Sequence, residues 1–142
     1  MKLKETRRVS RPLAEVFDYT VDFSHIADWD PGIVDSKALG DPPPREGSKY
    51  ELMVKLGSGT ERMIYEITEL EPNRRVVLVG TGEKLTAIDE IAFRSDNNDT
   101  VIDYTAELRF SGLLKWIAPL MAPGIKKVGR RAVDGLVRKL EQ

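Results

Sequence analysis

Between Ile33 and Phe110 the chain gives up helical spacing and alternates. "SKYELMVKL", "TERMIYEITEL", "RVVLVG", "KLTAIDEIAFR" and "TVIDYTAELRF" follow one another, separated by short turns. A period of two over such lengths marks strands with one buried face, and turns this short join antiparallel neighbours. The turns are Gly57-Ser58-Gly59, "EPNR", Gly80-Thr81-Gly82 and "SDNND"; a shorter strand, "IVDSKAL", and the stiff proline loop "GDPPPREG" come before them. The glycine pairs in "GSGTE" and "GTGEK" lead into strands. Phosphate-binding glycine loops lead into a helix N-terminus, so these are hairpin turns. An antiparallel meander is therefore fixed, and the rest of the chain must cover its apolar face.

The flanking segments supply that cover. "KLKETRRVS" alternates loosely and reads as a first strand; "PLAEVFDYTVDF" then places Leu13, Val16, Phe17 and Thr20 at helical spacing. Ser10 is the expected N-cap, with Pro12 in the first turn. Ser24 is expected to cap a second short helix, "HIADW", which Asp30-Pro31-Gly32 stops. After Gly112, with Ser111 as the expected cap, a long helix runs through "LKWIAPLMAPGIKKVGRRAVDGLVRKL". The order predicts one α+β domain over residues 1–142, with helices gathered on one side of a sheet.

Composition removes several functional classes. With 41% hydrophobic and 32% charged residues the chain fits a folded globular protein, and with no cysteine it has no disulfide, thiolate metal site or cysteine nucleophile. No secretory signal and no apolar run long enough to span a bilayer is visible, so a soluble, cytoplasmic protein is expected. The net charge of −1 is uneven: residues 111–142 hold seven basic and two acidic side chains, leaving −6 on the remainder. Such a split suits a solvated helix face on an acidic body. Nucleic acid is not expected, because the basic helix lacks an aromatic stacking platform. His25, the single histidine, lies near Asp22, Asp28 and Asp30 on a short helix and turn. This falls short of a convergent ligand set, so no metal or cofactor is implied. A Ser-His-Asp arrangement would have only His25 to use, and no nucleophile motif accompanies it.

Strand parity predicts which side chains point inward. They are Tyr50, Leu52, Val54 and Leu56; Met63, Tyr65 and Ile67; Leu85, Ala87, Ile91 and Phe93; and Ile102, Tyr104, Ala106 and Leu108. The third set carries Asp89 inward with it. A carboxyl on an apolar face must be hydrogen-bonded, paired or raised in pKa. Two readings stay open: an orienting group or general base with Tyr104 or Tyr65 as donor, or a buried polar group satisfied by a tyrosine or helix backbone. The catalytic candidates are Asp89 and Tyr104.

The last helix divides at Gly124. From Ile125 onward, Ile125, Val128, Ala132, Leu136 and Leu140 form one apolar face, with Arg130 and Asp134 spaced as i,i+4 partners. Before it, Pro119 and Pro123 predict a kink in an apolar segment containing Trp116, Ile117, Leu120 and Met121. This segment suits a lid over an internal cavity; the second reading is transient contact with a membrane surface.

The element order, "ADWDPGI", the Asp89-x-Ile91-x-Phe93 pattern, "DTVIDYTAEL" and "FSGLLKWIAPLMAPGIKKVGRRAVDGLVRKL" resemble the polyketide cyclase/dehydrase and lipid-transport branch of the START-like (SRPBCC) superfamily. The resemblance covers essentially the whole chain. It implies a helix-grip fold, in which a curved antiparallel sheet of six or seven strands wraps a long kinked C-terminal helix, with two short helices after the first strand. It also implies a deep apolar cavity and places Trp29 near its mouth. On this reading the expected ligand-contacting residues are Trp29, Tyr50, Leu52, Met63, Tyr65, Ala87, Asp89, Ile91, Tyr104, Ala106, Trp116, Ile117, Leu120 and Met121. The expected partner is a small hydrophobic molecule, lipid or polyketide-like, held by a monomer or weak dimer. Two alternatives are a cyclase, aromatase or dehydrase using the same cavity, and a protein–protein interaction module.

Overall fold

The computed structural model describes residues 1–142. A seven-stranded antiparallel sheet runs in the order β1-β7-β6-β5-β4-β3-β2. Its strands are β1 (Lys2–Val9), β2 (Ile33–Ala38), β3 (Lys49–Leu56), β4 (Gly59–Glu71), β5 (Arg75–Thr81), β6 (Leu85–Asp96) and β7 (Asp99–Phe110). Each of β4 to β7 pairs with the strand before it in sequence, as the short turns dictate, and β3 pairs with β2 across the proline loop. The tight turns place Gly57, Asn73 and Asn97 at positive φ of 62°, 59° and 56°, a conformation open to glycine and tolerated by asparagine. Register shifts at Ile67–Glu69 in β4 and Ile33–Asp35 in β2 bend the sheet.

Helix α1 (Leu13–Val21), a 3-10 helix (Phe23–Asp28) and helix α2 (Leu114–Leu140) lie on the concave face. This is the helix-grip architecture. The predicted inward sets hold: Leu52, Met63, Ile67, Ile91 and Ile102 are fully buried, and Tyr50, Tyr65, Leu85, Ala87 and Phe93 nearly so. Phe17 meets Phe93 edge-on at 5.1 Å between centroids, which seats α1 against β6. Leu140 and Leu136 close the same core from α2.

Local details differ from the sequence-based expectations. Pro12, not Ser10, occupies the N-cap of α1, and the Ser10 amide instead donates to Glu141 Oε2 at 2.8 Å. Asp22, not Ser24, caps the 3-10 helix, its carboxylate accepting from the Ser24 amide and hydroxyl. Ser111 does not cap α2; its hydroxyl donates to the Glu83 carbonyl. The turn assigned to Gly80-Thr81-Gly82 falls later, because Gly80 and Thr81 remain in β5 and pair with Ala87 and Thr86. Asp134 bonds Arg7 Nε of β1 at 2.9 Å rather than Arg130, so it ties helix to sheet. Helix α2 is continuous through Pro119 and Pro123. Neither proline can donate, so the carbonyls of Lys115 and Pro119 lose their i+4 partners without ending the helix.

Candidate functional site

Between α2 and the concave face lies a pocket of about 680 Å³. Leu3, Val54, Leu56, Leu85, Leu108 and Phe110 give it apolar walls on the sheet side; Leu120, Met121, Ile125, Val128, Ala132 and Val133 line it from α2. Every one of these sheet residues has inward parity, so the walls follow from the alternation that builds the strands.

The polar groups gather at the deep end. Asp89 on β6 faces Ala106 in register, and Tyr104 on β7 faces Ile91. The two are therefore diagonal neighbours on one face, within reach of a long side chain. The Tyr104 hydroxyl donates to Asp89 Oδ2 at 2.5 Å. Asp89 is 7% exposed, and burial pushes its carboxyl up to about 7 against the pull of the Tyr104 hydrogen bond, with the Asp30 charge adding to the rise. Tyr104 is itself raised well above 10, first by burial and then by Asp89.

Tyr65 reaches the same space from β4. Its register partner is Gly80, and a Cβ on Gly80 would stand 2.5 Å from the tyrosine ring. The ring thus lies across β5 in room that only glycine leaves. Burial, then the charges of Asp89 and Asp30, raise its pKa well above 10. It remains a phenol at any ordinary pH.

The sequence places Asp30 in a turn; in the structure it also lines the pocket, a role its sequence context does not announce. Its Oδ1 accepts from the amide of Gly32 at 2.8 Å, which fixes the carboxyl at the pocket wall. Burial raises its pKa to about 6, opposed by the Gly32 hydrogen bond and by Lys55. The available signal was the "DPG" turn itself, since an aspartate bonding two residues onward holds its side chain in a fixed direction. Glu5 of β1 also lines the pocket; it pairs with Arg7 at 3.1 Å, and Arg7 reaches Asp134 of α2.

Of the expected contact residues, the pocket gathers Tyr65, Asp89, Tyr104, Ala106, Leu120 and Met121. Tyr50, Leu52, Met63, Ala87 and Ile91 share their parity but sit in the packed core. Phe23 accounts for part of this, since its ring lies 6.4 Å from that of Tyr50 and 5.7 Å from that of Tyr65. Trp29 is buried rather than at the mouth: it meets Tyr104 and Phe23 edge-on at 6.4 Å, behind the wall. Trp116 and Ile117 are outside the pocket, with Trp116 78% exposed. The helical step of 100° turns them outward when Ala118, Met121 and Ile125 turn inward, so the lid is made by other residues of that segment. His25 stacks on Tyr19 at 4.5 Å and its Nδ1–H donates to the Tyr19 carbonyl.

The fold and the placement of this pocket define a helix-grip protein with a cleft between helix and sheet. The chain belongs to the polyketide cyclase / dehydrase and lipid transport family, whose sequence pattern matches residues 1–141. No curated protein sequence matches it. Among solved structures it is similar to the Zhui aromatase/cyclase of a Streptomyces species, at TM-score 0.80 and 16% identity over 99% of this chain and 93% of that one. A conserved protein from Geobacillus kaustophilus aligns at TM-score 0.75 and 17% identity, over 99% and 95% of the two chains. A START superfamily protein from Mycobacterium smegmatis aligns at 0.72 and 14%, over 99% and 94%. At these identities the likeness is one of fold.

Proposed function

We propose that the protein binds or carries a small hydrophobic molecule, lipid or polyketide-like, in the pocket between the sheet and α2. The observation that carries this reading is the pocket's division: apolar walls for a body, and Asp89, Tyr104, Tyr65 and Asp30 gathered for one polar end. The exposed side of α2 supports a route of entry. Leu113, Trp116 and Leu120 are 78–85% exposed beside Lys115, with Lys126 and Lys127 further along. Apolar side chains flanked by cations suit brief contact with an anionic lipid surface. Native mass spectrometry of protein purified from its own host, followed by denaturing extraction, tests the reading. A stoichiometric hydrophobic passenger supports it. Protein that arrives empty and also binds nothing from a panel of lipids and aromatic polyketides sinks it.

One observation favours a second reading, a cyclase- or dehydrase-type enzyme. Asp89, held by Tyr104 and raised to about 7, can release and regain a proton near neutrality. Asp89→Asn and Tyr104→Phe separate the two. In a carrier they lower ligand affinity; in an enzyme they abolish turnover while leaving affinity within severalfold.

A further inference from the structure

The deep end of the pocket holds carboxyl and phenol groups and no basic side chain. Its one lining cation, Lys55, is exposed at the rim. Of the acids that face the space, Glu5 is paired with Arg7 at 3.1 Å, whereas the hydrogen bonds to Asp89 and Asp30 come from the Tyr104 hydroxyl and the Gly32 amide, with the exposed Lys55 acting on Asp30 through its charge alone. We infer that this site takes amphiphiles with an uncharged hydroxyl or carbonyl head and turns away those with a carboxylate head. The inference rests on the ligand-binding reading above.

The physical reason lies in what each candidate head would meet. A carboxylate brought in beside Asp89, Tyr104 and Tyr65 loses its water and finds no basic side chain among them to replace it. It would also face the charge of Asp30 and of any ionised Asp89, a repulsion that apolar walls screen poorly. An uncharged hydroxyl or carbonyl meets complementary groups. Tyr104 has given its only proton to Asp89, so its oxygen is left as an acceptor; the Tyr65 hydroxyl is a donor. Asp89 offers a proton when neutral and an acceptor when ionised. An ammonium head would gain an ionic partner but would have to be stripped of water to reach it, and Tyr104 already occupies one Asp89 oxygen.

The test is calorimetric titration of the intact protein with 1-decanol, decanoate and decylammonium, which share a tail and differ in head, at a pH above the titration of both aspartates. The expected result is decanol binding tighter than decanoate by about tenfold or more, as one unscreened like-charge contact requires. In Asp30→Asn/Asp89→Asn the decanoate affinity rises and the gap narrows, because the asparagines remove the charge and add N–H donors. Should that double variant not fold, the comparison in the native protein stands alone. Decanoate binding as tightly as decanol overturns the inference while leaving a hydrophobic site intact. Decylammonium binding tightest overturns it in favour of an amine site. Binding of none of the three overturns the inference and the ligand-binding reading together.

Discussion

The two ends of the concave face are built by one rule and finish differently. At one end, Leu52, Met63, Ile67 and Ile91 point inward and are fully buried beneath α1 and the 3-10 helix. At the other, Leu3, Leu56, Leu108 and Phe110 point inward by the same parity and line an open pocket beneath α2. The difference lies in the cover. Phe17 and Phe23 drive large rings into the first end. The part of α2 over the second presents Met121, Gly124 and Ile125, and a Cβ on Gly124 would meet nothing within 4 Å. Lower down, a Cβ on Gly135 would stand 2.1 Å from the Trp29 carbonyl, so there the helix is pressed onto its neighbour. One helix is thus pressed onto its neighbour at Gly135 and leaves open space at Gly124. Alternation tells which side chains face in; the cover decides whether they become core or wall.

Four measurements sharpen that contrast. Phe23→Ala at the packed end is expected to lose about 3–5 kcal/mol by chemical denaturation, the range for deleting a buried aromatic. Leu120→Ala, over the pocket and 83% exposed, is expected to stay within about 0.5 kcal/mol. Equal losses at the two sites would erase the distinction between core and wall.

The second concerns pH. Asp89 is raised from its ordinary value to about 7, so between those limits the folded state holds a proton that the unfolded state has released. Stability therefore falls as pH rises through this window, by up to about 1.4 kcal/mol per pH unit from this group, and is highest where the carboxyl is neutral in both states. Asp89→Asn keeps the acceptor for Tyr104 and is expected to flatten the slope, leaving the smaller contribution of Asp30, raised to about 6. Denaturation midpoints of both proteins from pH 4 to pH 8 check this; parallel curves would mean that Asp89 is not held neutral by its surroundings.

The third measurement moves a wall. Gly80→Ala puts a methyl into the Tyr65 ring and is expected to lose about 1–3 kcal/mol while displacing the phenol from the pocket. Ligand affinity should fall more than it does in Leu120→Ala. The smallest expected change is that of Trp116→Ala, within about 0.5 kcal/mol in stability, since the ring is largely in water. Its effect should appear instead as weaker sedimentation with anionic vesicles; unchanged sedimentation would count against entry through this face.

Much of the fold could be read in the residues, and only part of the site. Asp89 was legible because it interrupts an apolar phase in "LTAIDEIAF", and a single acid among inward residues stands out. Tyr104 was legible by parity, and their contact followed from neighbouring strands. Asp30 was not, because an aspartate before Pro-Gly in a turn is ordinary, and only the folded chain brings Val128, from a helix nearly a hundred residues later, against the Gly32 whose amide holds the carboxyl. Trp116 and Ile117 misled because an apolar stretch around two prolines looks costly to expose, yet only one side of a helix can face a sheet.

Period-two alternation and short turns alone determined the antiparallel meander, the face of every inward side chain and the helix that must cover them. These are local consequences of backbone geometry, and they need no knowledge of what lies opposite. Which inward residues became core, and how far α2 stands from the sheet, were settled only in the tertiary structure. Close packing depends on the volumes of groups distant in sequence, here two phenylalanines at one end and Gly124 at the other.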